Sequence, residues 1–488
     1  MAITDRPPTL QPTAQGLASN RLGVPAVVYF VISATAALTV VAGGVPAAYA
    51  ITGVTGLPLA FLLLGAVLAL FSFGYLAMAR RVKNAGAFYA FVAHGLGKPL
   101  GVGVAWMTLL AYNGLQIGLY GLVGAATSPL IAELSGLTVP WWGIALVAWA
   151  VVAVLGMLRV DVNSRVLAVL LLGELAVVLL FNAANLLNPA SGGLDLAPLT
   201  PQQLFVPGVG ALFVFAIASF AGFESSAVFT EEAKNPARTI PVATFLALAI
   251  LSGLYALSAW STAVSTGTGQ VVARSQGESS ALFFNLLGAN AGAAAASIAY
   301  IVWSTSVIAS LIAFHNAIAR YVFALGRERA LPAVFARTSR RSGAPVAGSL
   351  AQSGAALVVI VLWAIAGLDP VRQLFVAVGS FGGFGTLTLL VITSVAVIVF
   401  FARRPGVESL WRRLIAPGLA ASGLGVVLAF GLGNFDTVLA VDPGSPWRWI
   451  LPAIYPLAAV VGAIWALRVR ANRPDVYAGI GLGAGREA

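Results

Sequence analysis

Three ionisable side chains sit inside long apolar runs: Glu174, Glu224 and His315. A charge at bilayer depth costs about 2.5 kcal/mol or more, so each is a functional candidate by default. A carboxyl in apolar surroundings can hold a proton and carry it. Ionised, it can instead join backbone carbonyls and hydroxyls such as Ser306 and Ser310 around a cation. For Glu174 we expect the proton role, with sodium coordination and a purely structural hydrogen-bonded carboxyl as alternatives. His315 lies five residues before Arg320, near the end of its run, and is expected to pack between helices, with a proton relay as the alternative. In another run Tyr112, Asn113 and Gln116 stand at spacings of three and four, which puts Tyr112 and Gln116 on one face. They could line a pocket, and Asn113 could equally hydrogen-bond a neighbouring helix. With no cysteine and only His94 and His315 as histidines, disulfides, thiolate metal sites, cysteine nucleophiles and two-histidine metal motifs are excluded or nearly so. We assign no catalytic residue, no metal ligand and no cofactor.

Groups of this kind need a membrane to position them. The chain has 488 residues, 59% hydrophobic and 9% charged, against about 25% charged in soluble domains. Runs near the roughly 20 apolar residues of a spanning helix recur twelve times, at 24–50, 57–79, 99–128, 139–158, 164–187, 205–230, 241–265, 292–322, 347–367, 371–401, 415–433 and 448–468. The alternating ten-residue segments of a membrane β-barrel are absent, so the expected fold is an all-α integral membrane protein with 12 transmembrane helices. With both termini in the cytosol, 24 of the 27 Lys and Arg fall on the cytosolic side and only Arg274, Arg372 and Arg448 outside, as the positive-inside rule demands. The net charge of +11 is thus spread over short loops, not gathered in a nucleic-acid patch. Residues 1–23 read as a cytosolic tail, not a signal peptide. Residues 469–488 read as a cytosolic C-terminal tail, disordered over the glycine-rich stretch Gly479–Gly485.

Two spans should break within the membrane. The first holds Ser33, Ala34, Thr35, Ala36 and Ala37, then Thr39, Gly43, Gly44 and Pro46; the sixth holds Ala218, Ser219, Phe220, Ala221 and Gly222, followed closely by Glu224. Small residues can also be helix-packing positions. Interruptions at corresponding places in two halves point to inverted repeats with a substrate at the midplane. The first repeat is then 24–187, the second 205–401, and the last two spans, 402–468, are appended.

The stretch Phe220–Ser226 (FAGFESS), with Glu231–Pro236 (EEAKNP) and Arg238–Pro241 (RTIP), resembles the sixth-helix signature of the amino acid–polyamine–organocation (APC) permeases. Ala85–Tyr89 (AGAFY), Ala319–Glu328 (ARYVFALGRE), Leu331-Pro332 and Gly343–Pro345 (GAP) resemble further motifs of that superfamily, so the likeness covers about the whole chain. It implies a leucine-transporter-type (LeuT) fold, a 5+5 inverted repeat plus two C-terminal helices, with helices 1 and 6 broken. It also implies uptake of an amino acid or related amine by alternating access. Broken helices leave backbone groups tolerated only where they line a cavity, and their N–H ends suit a carboxylate, their carbonyls an ammonium. Ser33–Ala37 and Ala218–Gly222 are therefore the expected backbone cradle. Phe220 matches the superfamily's aromatic lid, and Glu224 is expected to accept hydrogen bonds from backbone freed by the break. Many members carry a lysine where Glu174 stands, whereas this chain has only Lys83, Lys98 and Lys234. Where members have a glycine-rich first break, it has Ser-Ala-Thr-Ala-Ala. Glu231, Glu232, Lys234 and Arg238 are expected to form loop ion pairs or an inner gate, or a solvated charged loop.

The resulting expectation is a secondary transporter, a proton-symport permease of the cytoplasmic membrane, working as a monomer or homodimer on a small-molecule substrate. Sodium-coupled or exchange-type transport of an organic amine or polyamine is the alternative. A channel lacks a charged ring or filter repeat, and an enzyme lacks a catalytic constellation. A non-transporting nutrient sensor with the same pocket stays open.

Overall fold

The computed structural model describes residues 20–82, 84–158, 160–339, 342–439 and 441–483. Residues 1–19 of the expected N-terminal tail, the cations Lys83, Arg159, Arg340, Arg341 and Arg486, and residues 484–488 lie outside them. The only β-pairing among the described residues is an isolated bridge from Leu22 to Ala233. Everything else of regular form is helix, as expected when apolar chains must satisfy their own backbone.

In chain order the helices are α1 Val24–Ala34, α2 Ala37–Thr39, α3 Val45–Thr52, α4 Leu57–Ala79, α5 Ala87–Gly95, α6 Lys98–Ser135, α7 Trp141–Gly156 and α8 Val160–Leu187. After these come α9 Val209–Ala218, α10 Pro236–Thr266, α11 Val271–Glu278, α12 Ala281–Ala291 and α13 Ala293–Arg327. The chain closes with α14 Val346–Ile365, α15 Gly379–Ala402, α16 Ala416–Gly433, α17 Trp447–Asn472 and α18 Pro474–Ala478. A π-helical turn, Val40–Gly44, joins α2 to α3, and a 3-10 segment, Phe223–Phe229, follows α9. Prolines early in the helices, such as Pro25, Pro58, Pro99 and Pro236, occupy positions whose N–H has no helical acceptor.

Eleven helical stretches among the described residues are long and apolar enough to cross a membrane. Twelve were expected. The difference is the span at 139–158, where α7 runs only from Trp141 to Gly156, 16 residues. At 1.5 Å per residue that is about 24 Å, short of the roughly 30 Å hydrocarbon core. Burial separates centre from rim: the most apolar windows of Val24–Thr52 and Val209–Phe229 are both 72% buried, that of α17 only 22%. The two interrupted stretches therefore lie innermost.

Lipid tails are as apolar as leucine, so packing and internal hydrogen bonds, more than hydrophobicity, hold such helices together. Buried amides supply several of these bonds. Asn182 donates to Ser258 Oγ at 3.1 Å and accepts from Ser261 Oγ at 2.8 Å, tying α8 to α10. Asn290 donates to Asn185 at 2.8 Å, tying α12 to α8.

The C-terminal segment corrects an expectation. Gly479–Gly483 is not a free tail: Ile480 is buried, and the N–H groups of Gly481 and Gly483 bond the carboxylate of Glu328. Gly481 and Gly483 supply the positive φ this turn needs, at an entropic cost, and the acceptor that offsets it, Glu328, lies far away in sequence.

Candidate functional site

Helix α1 stops at Ala34 because Ala36 takes a left-handed conformation, φ 51° and ψ 60°, before α2 begins. A non-glycine residue there costs about 1–2 kcal/mol, so its surroundings must hold it. Both ends of the break have a partner from another helix. On the carboxyl end, Ser310 Oγ of α13 donates to Ser33 O and, at 3.4 Å, to Ala34 O. On the amino end, Leu38 N–H points to Glu174 Oε2 of α8 at 3.5 Å. A hydroxyl donor therefore meets the negative helix end and a carboxylate the positive one. Thr35 Oγ1 turns back to Ile32 O at 2.8 Å.

Around this break the buried Ser33 Oγ and Thr39 Oγ1 have no hydrogen-bond partner, and Glu174 Oε1, Tyr255 OH and Ser306 Oγ make no hydrogen bond of good geometry. Tyr255 stands beside Thr35, and Ser306 beside Glu174. Unsatisfied buried polar groups are rare and mark a place where something else can bind.

Helix α9 ends at Ala218, the chain turns, and Gly222 at φ 108° opens the 3-10 segment. Glu224, fully buried, accepts from Gly222 N–H at 3.1 Å and from Tyr112 OH at 2.9 Å. Tyr75 OH donates to the backbone carbonyl of Glu224 at 3.0 Å. Phe220 packs its ring 6.2 Å from Phe61 and 5.5 Å from Tyr255. Since Tyr255 adjoins Thr35, this aromatic group bridges the two breaks. A cleft beside the second break is bounded by Phe220, Glu224, Thr386 and Leu387. Ala218 is exposed, and Ser219 and Ala221 are half-buried; Ser219 Oγ bonds Phe215 O of its own helix at 3.2 Å.

Other candidates lie apart from the breaks. Asn113 bonds Leu109 O at 2.8 Å within its own helix, so it makes no recorded bond to a neighbouring one. Gln116 faces α13 and α14, donating to Leu311 O at 3.2 Å and accepting from Gln352. Tyr112 and Gln116 share a side of α6, but only Tyr112 reaches Glu224. His315 is buried with Nε2 2.7 Å from Ser349 Oγ, an inter-helix packing contact to α14.

At the end of the bundle where α13 ends and α5 and α6 begin, called here the basic face for the Lys98, Arg320 and Arg327 found there, the acidic pair Glu231 and Glu232 meets α13. Arg320 forms a buried bidentate pair with Glu232, donates to Asn316 O and Oδ1 at 2.9 Å each, and lies 5.3 Å from the Phe229 ring. Arg327 pairs bidentately with Glu231 at 2.7 and 2.8 Å, and Ala85 N–H reaches Glu231 at 3.1 Å. The Glu232 carbonyl accepts from Arg21 and Leu22 at 2.8 and 3.0 Å. The two glutamates of the loop thus pair with α13 rather than with their own loop, while Lys234 and Arg238 are exposed, as a solvated charged loop would have them.

Tyr75, Tyr255 and Phe61 were not singled out from the sequence. A signal existed for the tyrosines, since a hydroxyl inside an apolar run needs a polar neighbour. Phe61 carried none. Among the described residues no three His, Asp or Glu side chains gather as a metal site.

Known proteins give the same architecture a context. A family profile described as amino acid permease matches residues 22–458. The methylthioribose transporter of Bacillus subtilis is 25% identical over 419 residues, covering 82% of this chain and 83% of that protein. An uncharacterized amino acid permease of the same organism is 24% identical over 55% of this chain and 61% of its own length. An uncharacterized transporter of Mycobacterium bovis is 26% identical over 73% of each chain.

Proposed function

The chain belongs to the amino acid permease family of the APC superfamily, a multi-pass membrane transporter and not an enzyme, and from that premise we propose that it is a proton-coupled secondary transporter importing an amino acid or related small amine. The observation that carries this reading is the pairing of each break with a buried carboxylate, Leu38 with Glu174 and Gly222 with Glu224. At the first break the amino end at Leu38 and the carboxyl end at Ser33 and Ala34 lie close together with opposite polarity, the complement of a zwitterion. We place the basic face in the cytosol and assign a LeuT-type arrangement of 12 helices, with α7 as the short fourth span.

Substrate recognition then rests on Ser33–Ala37, Ala218–Gly222 and Tyr112, with Phe220 as the lid. Phe220→Ala removes the lid that would cover the bound substrate, and KM for uptake is expected to rise about tenfold, a loss of about 1.4 kcal/mol. Uptake in cells expressing the protein against a panel of amino acids, polyamines and neutral hydroxylated compounds is the test. If no compound accumulates, or the variant matches the unaltered protein on every one, the reading fails. A neutral hydroxylated substrate is the second reading, favoured by the methylthioribose transporter among the relatives and by the unpartnered hydroxyls of Ser33 and Thr39.

Glu174 is the proposed coupling residue, protonated with the substrate and deprotonated toward the cytosol. Its full burial beside the Leu38 N–H of the first break and the Ser306 hydroxyl supports that role. Glu174→Gln keeps a hydrogen-bonding side chain but cannot cycle a proton. Accumulation driven by a pH gradient is expected to vanish in proteoliposomes, while exchange of labelled for unlabelled substrate persists. Gradient-driven accumulation that survives the change would remove Glu174 from coupling, and a strict sodium requirement would make it a cation ligand instead.

A further inference from the structure

After α17 the chain turns at Arg473, forms α18 and runs across the basic face to Gly483. It is held there at several points. Lys98 Nζ donates to Tyr477 O at 3.0 Å and Ala478 O at 2.7 Å, and His94 Nε2 lies 3.0 Å from Gly481 O. Val476 and Ile480 are buried. Glu328, fully buried just past the end of α13, is the anchor. Its carboxylate accepts from Gly481 N–H, from Gly483 N–H at 2.9 Å, and from Asn84 Nδ2 and Tyr89 OH at 2.6 Å each. Four donors on one buried carboxylate form a charge-assisted cluster of the strong kind.

The position of this cluster relative to the ion pairs is what matters. Asn84 bonds Glu328, and the next residue, Ala85, donates its N–H to Glu231. Glu231 in turn pairs with Arg327, one residue before Glu328. The C-terminal segment and the acidic loop after the second break therefore grip the same two structures, the turn and first residues of α5 at 84–89 and the end of α13. Helix α17, which carries the segment, packs against α6, so its base is fixed to the body of the protein.

We propose that residues 474–483 are a latch that holds the basic-face mouth closed, and that its release permits the Glu231–Glu232 loop to part from α13. This rests on the alternating-access reading above and adds to it a regulated inner gate. A chain without the latch opens toward the basic face more often.

The absence of cysteine makes the test direct. Ala227→Cys places one thiol at a buried position of the 3-10 segment between the second break and the gate. A membrane-impermeant maleimide is applied from the basic-face side of sealed vesicles. A chain ending at Asn472 is expected to label severalfold faster than the full chain, and a synthetic peptide of residues 473–483 to slow it again. Gly481→Val provides the milder variant: φ is 85° there, and an added Cβ would lie 3.2 Å from Ala93 Cβ. Its melting temperature confirms folding, and it is expected to label faster as well. An unchanged rate in Gly481→Val, whether or not the shortened chain folds, overturns the latch. Because labelling needs no substrate, faster labelling in a protein that transports none of the panel leaves the latch standing and removes the transport reading alone.

Discussion

Glu232→Ala is expected to lower the melting temperature of the purified protein more than any other single change at the basic face. The Arg320 and Glu232 side chains are each 2% exposed, so removing the carboxylate strands a guanidinium without its counter-charge. Breaking a buried pair from one side costs about 3–5 kcal/mol, although the intact pair itself adds little to stability. Asn316, bonded to Arg320 and to Asn163 of α8, and the Phe229 ring retain part of the solvation. The loss should therefore fall toward the lower end of that range. Glu232→Gln keeps two acceptor lone pairs and is expected to lose less. A melting temperature for Glu232→Ala within a degree of the unaltered protein would show that water reaches Arg320 and that the gate is open in solution.

Gly222→Val is expected to abolish uptake while the protein still reaches the membrane. Its φ of 108° is left-handed territory, and an added Cβ would lie 2.9 Å from Ala34 Cβ. Strained backbone costs about 1–3 kcal/mol and overpacking another 1–3 kcal/mol. Even about 2 kcal/mol against the arrangement in which the breaks touch lowers its population some 30-fold. Gly253→Ala, inside α10 with nothing within 4 Å of the new Cβ, is the control and should be neutral or slightly stabilising. Initial uptake rates normalised to surface expression decide the matter. Gly222→Val with more than half the normal rate would mean that the two breaks need not meet.

The readable part of this chain was the part that local sequence encodes. Hydropathy over some 20 residues marked the spans because each helix must be apolar on its own account, whatever it packs against. The α7 exception is also local, since Pro140 and Gly156 bound a helix too short to clear the core. The small-residue stretches 33–37 and 218–222 were visible as places able to leave helical geometry. That Ala36, and not a glycine, takes the left-handed turn was not visible. The partners of the two helix ends on either side of it, Ser310 and Glu174, come from α13 and α8, far away in sequence.

What the sequence determined by itself was an all-helical membrane protein with two stretches able to leave helical geometry and carboxylates at Glu174 and Glu224 inside its apolar runs. Tertiary structure decided what each carboxylate touches. Leu38 and Glu174 are 136 residues apart, Tyr112 and Glu224 112, and Glu328 and Gly481 153. In lipid no difference in hydrophobicity selects one helix partner over another. Steric fit among small side chains and the few polar groups left to satisfy makes that choice, and such fit exists only once every helix is in place.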